Sequence, residues 1–162
     1  MSIVTPERLH RALVRTPVVL QGLLVGVDQE RAVAATDGPD GWSVVEVVCH
    51  VRDFDGVFQG RVEQMLAEEH PALAAYDHER IAVERDYRHD DLRRALAVLV
   101  EHRVGFLRLF AGLDAERWGR TGVHPELGTI SVLDAATQVV LHDIDHTEQI
   151  ARCLGLAERL DV

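Results

Sequence analysis

Four stretches of the chain each place apolar side chains at helical spacing over about twenty residues, and no stretch sustains an apolar–polar alternation between turn signals. That pattern reads as an all-α fold. The first stretch, Pro6 to Val25, opens on Thr5-Pro6-Glu7: a capping hydroxyl, a proline at the first helical position and an acid in the first turn. Thr16-Pro17 repeats the signal inside it, so either two short helices abut there or one helix bends. The second stretch begins at Ser43-Val44-Val45-Glu46, where the serine hydroxyl can accept from the third helical amide while the glutamate reaches back to the cap. Its stripe is Val47, His50, Val51, Phe54, Val57, Phe58 and Met65, and His70-Pro71 ends it. The third runs from near Asp90 to Gly112, with Leu92, Leu96, Leu99, Val100, Arg103, Phe106, Leu107 and Phe110 in its periodicity. The fourth, from Ser131 to Leu154-Gly155, carries Val132, Ala136, Val139, His142, His146, Ile150 and Cys153.

Four such helices close as a bundle around one core, and 162 residues suit a single domain, 1–162. The connection from His70 to Arg88 has room for a short helix near His78 to Glu84. Its length predicts that helices two and three run parallel, joined by a crossover, while the other connections join antiparallel neighbours. Trp118 to Thr129 reads as glycine-rich and irregular.

The charge narrows the partners. A net charge of −10 offers no positive footprint for nucleic acid or an anionic membrane surface. No apolar run is long enough to span a bilayer, and no signal peptide is visible, so a cytoplasmic protein is expected. All 17 basic residues are arginine, and the lack of lysine excludes Schiff-base enzymes and P-loops. Cys49 and Cys153 are too few for a disulfide scaffold and read as packed, inert thiols.

Two histidines, His142 and His146, stand four apart in the apolar seam of the fourth helix, where their rings can converge on one ion. His50 lies in the seam of the second. It is about 10 Å from its helix start, and His146 is about 13 Å from its helix end. If those helices are antiparallel neighbours, the three imidazoles meet at one level. The alternative is a set of buried histidines satisfied within the core. Asp53, one turn beyond His50, could orient a ligand or take a proton. Asp143 and Asp145 could back the ligands, although solvated or surface-paired acids fit them better. Asp143 stands where H-E-x-x-H proteases carry glutamate, but it is a methylene shorter and no further histidine follows at their spacing. His10, His70, His78, His89, His102 and His124 lie in polar or loop contexts and read as surface residues, with His124 a candidate for a pocket mouth.

Trp42-Ser43-Val44-Val45-Glu46 followed by His50 resembles the W-S-x-x-E-x-x-x-H signature of the DinB-like superfamily, which includes YfiT-type proteins. The run His142 to Ile150 resembles its second signature, H-x-x-x-H-x-x-Q-I. The resemblance implies a four-helix bundle of up-down-down-up topology. It also implies that His50, His142 and His146 bind a divalent metal such as zinc, nickel or iron. Gln149, within the second signature, reads as structural, bonded to backbone or a loop behind the ligands. Relatives include transferases and isomerases that use a low-molecular-weight thiol. The leading expectation is therefore a metal-dependent enzyme acting on a small molecule, with thiol-dependent S-transfer as the specific reading. A metal-binding interaction protein without turnover and a metal-dependent hydrolase are the alternatives. Uncovered apolar residues on the first helix are compatible with a homodimer.

Overall fold

The computed structural model describes residues 3–158, so the ends of the expected 1–162 domain lie outside the described residues. Each long helix begins on a side-chain cap. Thr5 opens α1 (Pro6–Leu23), Ser43 opens α3 (Val44–Ala67), Asp91 opens α5 (Leu92–Ala111) and Ser131 opens α7 (Val132–Cys153). Ser43 and Glu46 form the expected reciprocal box, and Ser131 with Asp134 forms a second. Short helices α2 (Gln29–Ala34), α4 (His78–Glu84) and α6 (Ala115–Trp118) and a 3-10 turn at Tyr87–His89 fill the connections.

The bundle runs up-down-down-up. The parallel pair α3 and α5 pack together across the crossover, and α7 packs antiparallel to α3, with Trp42 near Cys153 at one end and His50 against His142 further along. Helix α1 packs chiefly on α5 and α7 rather than on α3. This corrects the expectation that the first and last connections join antiparallel neighbours: they cross the diagonals instead. The crossover makes α3 and α5 neighbours, so each needs a remaining helix on its other side.

Helix α1 is continuous through Pro17. Proline has no N–H to give the carbonyl four residues back, which is Leu13. Arg103 Nη1 donates to that carbonyl instead, at 3.0 Å. Arg103 also holds Asp55 and Asp143, and Thr16 donates to Asp143 at 2.6 Å. One residue from each long helix thus meets in a buried polar layer. It separates two apolar clusters, one around Leu20, Val47, Leu99 and Ile150 and the other around Leu13, Phe58, Phe106 and Val139.

The segment expected to be irregular contains a β-hairpin, β1 (Thr121–His124) and β2 (Gly128–Ser131), antiparallel with Gly122 opposite Ile130. Four-residue strands are too short to show an alternation. The backbone of β1 also bonds Pro71 and Leu73, which pins the hairpin to the chain leaving α3. Among the described residues, no helix is long and apolar enough to cross a membrane.

Candidate metal centre

The antiparallel packing of α3 and α7 brings His50, His142 and His146 to one level. A ring nitrogen of each lies within 4.8 Å of the others. The Nε2 atoms of His50 and His142 are 2.8 Å apart. Nitrogens around a tetrahedral zinc ion sit about 3.3 Å apart, so small ring shifts would seat one. His146 donates from Nδ1 to Gln149 Oε1 at 2.7 Å, which leaves its Nε2 lone pair free. Gln149 is fixed by its amide bond to Asp37 at 3.2 Å, and Asp37 is held by Arg152. Gln149 thus bridges the His146 ring and Asp37, in the loop before α3.

All three rings are held neutral. Burial, reinforced by neighbouring imidazoles, pushes His50 down to about 3 and His142 lower still. Burial also lowers His146, against the pull of Gln149. Neutral imidazoles offer lone pairs, as a cation requires. Nδ1 of His50 and of His142 is buried without a protein partner. Three facing ring nitrogens with only one shared contact fit a divalent cation better than a packed core, where each polar atom would find a mate. Aromatic rings fix the positions: Phe54 stacks on His142 with centroids 3.5 Å apart, and Trp42 meets His50 edge-on at 5.0 Å.

The cluster faces a cleft of about 560 Å³ between α3, α7, the crossover and the hairpin. Phe54 and Phe58 line one wall; Tyr76 and His78 come from the crossover, and His124 to Leu127 from the hairpin. His78 lies 5.7 Å from His50 between ring centroids, outside the three-nitrogen cluster. The surface reading of His78 holds for its exposure but misses the cleft. His124 lines the cleft, as its loop position allowed.

The acids fall elsewhere. Asp53 does not line the cleft: it accepts from Arg52, Arg85 and Tyr87, the last at 2.6 Å. Burial works against its charge, but those donors prevail and hold its carboxyl below the ordinary range. With both oxygens engaged, it braces the crossover against α3, which does not favour a proton-taking role. Asp143 is buried in the Arg103 layer, which overturns the solvated reading, and it makes no bond to the histidines. Asp145 is exposed. Cys49 is buried, its thiol pushed up to about 12 chiefly by burial, and Cys153 lies against Trp42 O.

The sequence profile of the DinB superfamily matches residues 12–150. YfiT of Bacillus subtilis (strain 168) is 28% identical over 139 residues, which cover 83% of this chain and 77% of that protein. Its solved structure is described as that of a probable metal-dependent hydrolase with an unusual four-helix bundle topology. It superposes at a TM-score of 0.83, with 24% identity, over 97% of this chain and 91% of that one. The mycothiol-dependent maleylpyruvate isomerase shares the fold at a TM-score of 0.73 and 12% identity, over 90% of this chain and 60% of its own.

Proposed function

This chain belongs to the DinB superfamily, and on that premise we propose that it is a metal-dependent hydrolase of a small molecule, with His50, His142 and His146 as ligands. The observation that carries the reading is the convergence of three neutral ring nitrogens on a cleft, with no carboxylate or thiol among them. Three protein ligands leave a coordination position open to the cleft. A divalent ion there would supply a Lewis acid that makes bound water acidic near neutral pH and polarises a substrate oxygen.

The chain's own residues supply the rest. Gln149 fixes the face of His146 that points inward. Phe54 and Trp42 limit rotation of His142 and His50. Phe54 and Phe58 give the cleft an apolar wall that excludes water beside the histidines. His78 stands exposed at the rim, its ring 5.7 Å from that of His50 between centroids.

One observation favours a second reading, a thiol as the nucleophile. Among the described residues no carboxylate oxygen joins the three histidine nitrogens within 4.8 Å to act as a base, and a thiol is acidic enough to need less help than water. Elemental analysis of untagged protein, beside a His142→Ala/His146→Ala variant, tests the metal. About one metal per chain, absent from the variant, supports the site. No metal after reconstitution with zinc, nickel and iron refutes it. Screening the loaded protein on esters and amides, then on electrophiles with and without added thiol, separates the two readings.

A further inference from the structure

The buried Arg103 and the half-buried Arg52 are each matched by two acids. Arg103 meets Asp55 and Asp143, and Arg52 meets Asp53 and Asp90. Arg61, on α3 and only 6% exposed, meets none among the described residues. Its Nη2 donates to Ala74 O at 2.7 Å, and its Nε is buried without any partner. Its Nη1 makes no bond to the protein. Glu126, exposed at the hairpin tip, lines the same cleft and favours the Arg61 charge through space, but it makes no salt-bridge contact with the guanidinium. Burial acts against the charge of Arg52 and Arg103 too, but their carboxylates outweigh it and raise both; at Arg61 burial outweighs the pull of the more distant Glu126, and the guanidinium is lowered. A buried cation without a contacting carboxylate is costly, and an arriving anion would relieve that cost.

Arg61 lines the cleft that holds the three histidines. Long helical side chains lean toward the N-terminal turn. Its guanidinium accordingly lies over the Phe58 ring, 5.1 Å from the centroid, on the side toward His50. His124 stands beside it. Its Nδ1 accepts from the backbone N–H groups of Glu126 and Leu127, so its proton sits on Nε2, which has no protein acceptor. Phe58 and Phe54, one turn of α3 apart, lie between this pair and the histidines; His50 and Arg61 stand eleven residues, about 16 Å of helix rise, apart, and the backward lean of Arg61 shortens the gap.

We propose that Arg61, assisted by the Nε2–H of His124, is the anchor for an anionic group, a carboxylate, on the substrate of this cleft. The apolar body of that substrate would lie on Phe58 and Phe54, and its reactive end would reach His50, His142 and His146. This rests on the hydrolase reading for the reactive end only; the anion seat is built without the metal. It assigns the substrate class as a monoanionic, elongated molecule with an apolar middle. Arg61 is then a binding residue that sets specificity.

The probe is 4-phenylbutyrate, with the neutral 4-phenylbutyramide as its partner, titrated calorimetrically into the full chain as purified. Wild type is expected to bind the acid and to bind the amide at least tenfold more weakly, since a charge-assisted bond is lost. Arg61→Gln is expected to reduce acid affinity tenfold or more, with amide binding and metal content unchanged. His142→Ala is expected to lose metal yet keep acid binding. Should acid binding vanish in His142→Ala and persist in Arg61→Gln, the carboxylate ligates the metal: the anchor is refuted while the metal reading stands. If wild type holds no metal but the Arg61 effect persists, the reverse is true. In case Arg61→Gln fails to fold, the Nε–H resonance of Arg61 in wild type gives a second readout. It should shift with the acid and not with the amide. A signal unmoved by the acid, or no binding at millimolar acid, overturns the proposal.

Discussion

Replacing Arg103 by methionine keeps most of its volume and removes its charge. The guanidinium uses all five of its N–H groups: two to Asp55 at 2.8 Å each, two to Asp143 at 2.6 and 2.9 Å, and one to Leu13 O at 3.0 Å. Without it, two carboxylates stay buried with no cation, and the Leu13 carbonyl loses its partner. Breaking a buried ion pair from one side costs about 3–5 kcal/mol. For a chain of this length that corresponds to a fall in Tm of about 10 °C. The penalty should depend on pH. Unpaired and buried, Asp55 would have a folded value above its unfolded one, as burial already pushes it up in the native layer. The cost is therefore small near about pH 4 and grows as pH rises toward that raised value. Urea unfolding followed by circular dichroism, at neutral pH and near about pH 4.5, measures both. A triple variant, Arg103→Met with Asp55→Leu and Asp143→Leu, should recover most of the loss, because no buried charge remains. The reasoning fails if Arg103→Met costs under about 1 kcal/mol, or if its penalty grows toward acid.

Gln149→Leu frees the His146 ring and should weaken metal affinity by about 10–100-fold without changing stoichiometry; competition with a chromophoric chelator reads it. Gly122→Ala would set a Cβ 2.9 Å from Met65 and 3.1 Å from the Pro71 carbonyl. Overpacking there should cost about 1–3 kcal/mol, seen as a lowered Tm. Asp53 and Asp90 are held below the ordinary carboxyl range because Arg52, with Tyr87 on one and Arg94 on the other, outweighs the burial that opposes their charge. Their contribution should be complete above about pH 4 and lost as pH falls through the lower folded values. Asp90→Asn should flatten that acid slope in urea titrations; an unchanged slope would show that the pairs do not stabilise the fold.

Much of the bundle is written locally. The Ser43–Glu46 box, the capped start at Thr5 and the stop at Gly155 are short-range signals, and helices appear where they stand. The three histidines were legible because each sits in an apolar seam, their distances to the helix ends match if the helices are antiparallel neighbours, and the two family signatures fall on the same residues. What escaped is tertiary. Arg61 and His78 occupy different elements, and only the folding of crossover and hairpin over α3 gathers them with the pocket-mouth candidate His124 at one cleft. Asp143 was misread because α7 buries a broad arc, touching α1 as well as α3, so a residue beside the histidine seam is also inside. A clue existed: Arg103 interrupts an apolar stripe, and a cation there demands acids from facing helices. The hairpin had no comparable signal, since its strands are held by each other and by residues near Pro71, some fifty positions away.

The vacancy that Pro17 leaves at Leu13 has a consequence for how the bundle assembles. Apolar faces alone tolerate sliding, because a shift of one turn, about 5.4 Å, presents a similar stripe to the neighbouring helix. Elsewhere along α1 the interior carbonyls are committed to amides four residues on. The open carbonyl of Leu13 thus works as a keyhole on a rod that is otherwise uniform, and Arg103 as the key. A slipped α1 would leave the key against a closed surface and strand Thr16 from Asp143. The pair selects one alignment from several that burial would accept, and so fixes the height at which α7 presents its histidines to α3.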